Sequence, residues 1–147
     1  MLQYLYNKHT GKGENMIITV DFNSSEALYM QLRNQIVMGI GRGELAEGES
    51  LPTVRQLAQE IGINNMTVNK SYQILKKEGY IEIDRRHGAK VATFGGLTPE
   101  VREKMESELE LLSAEAALKG MDEEAFLTMC KDVFKRLDKD GNTFANA

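Results

Sequence analysis

The chain has 147 residues, 41% of them apolar and 27% charged, with a formal net charge of −4, one cysteine and no tryptophan. That length fits one ordinary domain, or a small domain with an appendage; a lone thiol excludes an internal disulfide and points to a reducing cytoplasm. No apolar run approaches the roughly 18 residues that a membrane span needs. Positive charge is local: residues 53–93 carry seven basic and four acidic side chains, against four and six in residues 1–52 and seven and twelve in residues 94–147.

Residues 1–15, MLQYLYNKHTGKGEN, lack the apolar core and cleavage site of a signal peptide and read as a flexible leader, with the folded part beginning at Met16. Asn23, three residues before Glu26, predicts a helix N-terminus. Leu28, Leu32, Ile36 and Ile40 then recur every fourth residue along one face. GRGELAEGES, residues 41–50, reads as a glycine-rich loop. Thr53 and Gln56 have capping-box spacing and open a short helix over 53–61 that Gly62 ends in a left-handed cap. Asn64 or Asn65 caps the next helix, which turns Val68, Tyr72 and Leu75 inward and closes at Gly79.

YIEID and AKVATF are short alternating runs that flank RRHG, the pattern of a hairpin. Thr98-Pro99-Glu100 supplies a cap, a proline at the first helical position and an acid in the first turn. Val101, Met105, Leu109, Leu112 and Ala116 form one stripe before Gly120. Asp122 opens a last helix with Phe126, Met129 or Cys130, Val133 and Leu137 facing one way, and the tail DKDGNTFANA reads as frayed.

A short helix, a tight turn and a longer helix with a polar outer face make a helix-turn-helix. Its second helix fits the DNA major groove, about 12 Å wide. The hairpin tip Arg85, Arg86, His87 and Gly88 makes it a winged version, with a glycine that lets the backbone approach phosphate or the minor groove. The expected fold is mainly α with a small β wing: a winged helix-turn-helix domain over 16–96, then a C-terminal two-helix dimerisation hairpin over 97–147. About forty residues of hairpin cannot bury a sufficient core alone. The simplest partner for Val101, Met105, Leu109, Leu112, Phe126 and Val133 is a second copy, in a four-helix contact on a two-fold axis.

The stretch GELAEGESLPTVRQLAQEIGINNMTVNKSYQILKKEGYIEIDRRHGAKVA resembles the GntR family of bacterial transcription regulators. The resemblance lies in the Gly-Glu-Leu turn, Leu51-Pro52, Arg55, Leu57-Ala58, Gly62, Thr67-Val68, Leu75, Gly79 and Gly88. With MIITVDFNSSEALYMQLRNQI before it and two short helices after, the chain looks like the YtrA subfamily from Met16 to Leu137. The resemblance implies a homodimer that binds a palindromic operator and represses its own operon, often one encoding a membrane transporter. It assigns DNA contact to Arg55, to Asn64, Asn65, Thr67 and Asn69 at the start of the recognition helix, and to His87 and Gly88 at the wing. Asn65 and Asn69 stand where many relatives have arginine, so base preference does not transfer.

Each residue also has a plainer reading. Arg55, Lys76 and Lys77 fit ordinary solvated charges, Asn65 fits a cap, and Tyr72 fits the core; Lys70 is the one lysine assigned to phosphate. Asn69, mid-helix with poor helix propensity, points toward function. DKDGN fails as a calcium loop because Thr143 holds the glycine position, and GIGRG follows a helix rather than a strand, unlike a nucleotide loop. Two histidines and one cysteine far apart make no zinc site, and no Ser, His and acid set suggests catalysis. The expectation is therefore a cytoplasmic DNA-binding protein, not an enzyme, with no metal and no cofactor. Its partners are an operator in double-stranded DNA and a second copy, with room for a small-molecule effector only in a small pocket or at the dimer interface, and no membrane. The rival from another class is a winged-helix protein-interaction module without specific DNA binding.

Overall fold

Helix formation begins later than the capping pattern predicts. In the computed structural model, which describes residues 2–6 and 16–137, the first helix α1 spans Leu28–Gly41 with Ala27 at its N-cap and no side-chain cap bond. Asn23 is outside it because local turns compete for the segment: Asp21 Oδ1 accepts from the Asn23 N–H at 2.9 Å and Ser24 Oγ from the Glu26 N–H at 3.1 Å. The buried Gln31 fixes the rest, accepting from the Asp21 N–H at 2.8 Å and donating to the carbonyls of Asp21 and Glu26 at 3.0 and 2.8 Å.

Two units divide between Phe94 and Gly95. The first holds β1 (Leu2–Tyr6), β2 (Met16–Val20), α1, α2 (Val54–Ile61), α3 (Asn65–Lys77), β3 (Ile81–Asp84) and β4 (Gly88–Val91). Part of the segment read as a flexible leader is thus a strand: β1 runs antiparallel to β2, with Leu2 opposite Val20 and Tyr6 opposite Met16. Pairing partners ten or more residues apart leave no local sequence signal, which is why this strand was not expected. Residues 7–15 and the tail after Leu137 lie outside the described residues, so the remainder of the leader and the frayed tail do too.

Periodicity elsewhere converts directly into burial. Leu32 and Ile36 of α1, Leu57, Ala58 and Ile61 of α2, and Val68, Tyr72 and Leu75 of α3 close one core with Ile18 and Val20 of β2 and Ile81 and Val91 of the wing. Each large aliphatic group contributes about 1.5–3 kcal/mol, an upper figure before chain entropy is counted. β3 and β4 form the antiparallel wing, with Asp84 opposite Gly88. The loop predicted at 41–50 is only partly loop. Gly48 and Leu51 donate to the carbonyls of Val91 and Ala89, each at 2.8 Å, and Val91 donates back to Glu49 at 2.8 Å. This stretch lines the free edge of β4, which would otherwise present unpaired backbone groups.

The second unit holds α4 (Pro99–Leu118) and α5 (Glu123–Leu137). Thr98 Oγ1 accepts from the Val101 N–H at 3.3 Å and Asp122 Oδ1 from the Ala125 N–H at 2.8 Å, so both expected caps are present. Neither helix has a buried residue. The fold is mainly helical with a small β wing, as the sequence predicts.

Candidate nucleic-acid interface

The helix-turn-helix is built by three local devices. Thr53 Oγ1 accepts from the Gln56 N–H at 3.1 Å while Gln56 Oε1 accepts from the Thr53 N–H at 3.0 Å, the capping box that starts α2. Gly62, at φ 72°, ends α2 in the left-handed region. Asn64 then caps α3, its Oδ1 accepting from the Met66 N–H at 2.7 Å. The cap is therefore Asn64 and not Asn65, which becomes the first helical residue.

The inner face of α3 is tied down. The Ser71 hydroxyl lies 2.6 Å from the Tyr29 carbonyl, and the Tyr72 hydroxyl donates to the Pro52 carbonyl at 2.8 Å. Arg33 of α1 pairs with Glu78 at the end of α3, and this contact raises the guanidinium pKa above its usual value against the lowering effect of burial. The outer face is left open. Asn65, Met66, Asn69 and Gln73 are exposed, Thr67 is half-buried, and neither the Asn65 nor the Asn69 carboxamide has a partner among the described residues. Lys70 is exposed, but its ammonium stands 3.9 Å from the centre of the Tyr29 ring, a cation–π contact that orients it. Arg55, the second residue of α2, is exposed, as are Lys76 and Lys77.

The wing tip is Arg85-Arg86-His87, all exposed. Asp84 organises it: its Oδ1 accepts from the Arg86 N–H at 2.6 Å and its Oδ2 lies 3.4 Å from His87 Nδ1. The Arg86 N–H, and after it the His87 ring, hold the Asp84 carboxyl below its ordinary pKa. Both arginines lack a carboxylate partner among the described residues. Gly88 stands at the start of β4 rather than at the tip. A Cβ there would meet nothing within 4 Å, so its φ of 73°, and not close approach, is what requires glycine.

Four of the six residues assigned to dimerisation share one exposed stripe on α4: Val101, Met105, Leu109 and Leu112, between 48% and 56% exposed. On α5, Val133 is exposed and Phe126 half-buried. Leu111, Leu118 and Leu127, which the sequence reading passed over, are exposed as well and broaden the apolar surface. A void of about 10 Å³ under α2, lined by Ile18, Ile36, Leu45, Leu57 and Tyr72 among others, holds one water at most. No group of three or more His, Cys, Asp or Glu suited to a metal occurs among the described residues, and none of the described helices is long and apolar enough to cross a membrane.

A short helix, a tight turn, an open second helix and a basic-tipped hairpin define the winged helix-turn-helix class. Residues 26–91 match the family described as bacterial regulatory proteins, gntR family. YhcF, an uncharacterized HTH-type transcriptional regulator of Bacillus subtilis, is 31% identical over 88 residues, which are 60% of this chain and 73% of YhcF. The HTH-type transcriptional repressor YtrA of Bacillus subtilis is 37% identical over 76 residues, 52% of this chain and 58% of the repressor. Among solved structures, YtrA from Sulfolobus acidocaldarius, a GntR-family transcription factor, aligns with a TM-score of 0.57 and 32% identity over 66% of this chain and 97% of that one. The chain belongs to the GntR family of transcriptional regulators, with YtrA-type proteins among its relatives.

Proposed function

We propose that the protein is a sequence-specific, non-enzymatic cytoplasmic repressor that binds a palindromic operator as a homodimer and controls its own operon, of the kind that encodes a membrane transporter. The observation that carries this reading is the contrast across α3. Its inner face is locked to α1 and to Pro52, while its outer face holds the Asn65 and Asn69 carboxamides, which have no partner among the described residues. Hydrogen-bonding groups held rigidly and left unspent are what base edges require. Arg55, Lys70, Arg85 and Arg86 then supply phosphate contacts, and Asn64, Thr67, His87 and Gly88 shape the surface around them. Repression follows the YtrA-type relationship and needs only that a bound dimer occupy promoter DNA. The exposed stripes of α4 and α5 are the proposed dimer contact, and an effector, where one acts, binds there.

The test is affinity for duplex DNA across a salt series, for the full chain and for Arg55→Ala and Arg85→Ala, each first shown folded by circular dichroism. Wild-type affinity should fall steeply with salt, because each phosphate neutralised releases a counterion, and each variant should flatten the slope by about one unit. Wild-type slopes in both variants would place the DNA surface elsewhere. No measurable DNA binding at low salt would favour the protein-interaction reading.

A further inference from the structure

Met66 is 78% exposed, more than any other large hydrophobic residue described in the first unit. A solitary exposed apolar residue is ordinary on a protein surface. This one is placed unusually. Its own N–H is held at 2.7 Å by the capping Asn64, which fixes its Cα at the entrance of α3. It follows Asn65 directly and precedes Asn69 by three residues, so it lies one helical turn from the second free carboxamide. Nothing in the first turn of α3 carries a charge. The leading end of the helix therefore combines two amide groups with one flexible, polarisable apolar arm.

We infer that Met66 reads a thymine in each half-site, packing its thioether against the C5-methyl group that thymine alone presents in the major groove. The inference rests on the DNA-binding reading above and deepens it from contact to base class. A·T pairs suit the whole leading edge: the thymine methyl is an apolar contact, and the adenine N6–H and N7 match an Asn amide. A G·C pair offers no methyl group and leaves the Met66 side chain wet.

The experiment begins with duplex DNA selected from a random-sequence pool by the full chain. Each thymine of the enriched half-site is then replaced in turn by 2′-deoxyuridine, which removes the methyl group and keeps every hydrogen-bonding atom. Replacing the contacted thymine should weaken wild-type binding about fourfold, the factor expected for one methyl group buried from water. Met66→Ala should bind the two duplexes equally, and Met66→Leu should still distinguish them. Because the side chain is exposed, both variants should fold, which circular dichroism checks first. Equal losses in wild type and Met66→Ala at every thymine, or no thymine whose methyl group matters, overturns the inference. A pool that yields no enriched sequence overturns the sequence-specific reading beneath it as well.

Discussion

Two residues let the proposed interface be tested one side chain at a time. Asn69 projects from the exposed side of α3 with no intramolecular partner among the described residues, and its amide matches the edge of adenine. Exchanging the A·T pair opposite it for G·C should cost the wild type about 1–3 kcal/mol, and Asn69→Ala should bind both operators almost equally. A double-mutant cycle of residue against base pair at fixed salt measures this coupling, and zero coupling at every half-site position would leave Asn69 a surface residue. Asp84 governs the wing. Its pKa is lowered by the Arg86 N–H first and the His87 ring second. A carboxylate lowered on folding stabilises the turn above its ordinary pKa, and that support fades as pH falls through the lowered value. The tip should therefore keep its shape at neutral and mildly acidic pH and loosen only in stronger acid. An NMR titration of the Asp84 carboxyl carbon should give a midpoint below that of an unfolded-peptide Asp; a midpoint at or above that value would contradict the turn described here.

At the scale of elements, legibility followed the range of the forces involved. The Thr53–Gln56 box, the Gly62 cap and the Asn64 cap were readable because each rests on bonds between residues a few positions apart, and the wing because two alternating runs flank a short turn. The start of α1 was not, because Gln31 gathers Asp21 and Glu26 from ten and five residues away and overrides the cap expected at Asn23. Strand β1 and the Gly48–Leu51 edge were missed for the same reason: long-range pairing leaves no local period. Met66 lies two residues before Val68, off the Val68, Tyr72 and Leu75 stripe, so the helical period already turns it outward; it escaped because a single exposed apolar residue is ordinary on a protein surface. The Gln31 cluster is open to test. Gln31→Leu keeps the volume but strands the Asp21 N–H and two carbonyls, and should destabilise the protein by about 1–3 kcal/mol in denaturant unfolding. A change below a few tenths would mean that water satisfies these groups without Gln31.

Across the whole molecule, one acidic chain keeps its basic side chains in excess only over the segment that forms the helix-turn-helix and wing. Charge brings that surface to a polyanion, but the sequence is read by groups with fixed donor and acceptor geometry. A single winged domain reads a short half-site, and the exposed stripes of α4 and α5 are the proposed contact that would join two of them. Hydroxyl-radical footprinting of the full chain on the DNA upstream of its own gene tests this most directly. The account predicts two protected patches related by a two-fold axis, their centres about 10 base pairs or a multiple of that apart, and their loss together when Leu109 and Leu112 are both changed to lysine. A single unpaired patch, or uniform protection without sequence preference, would contradict it.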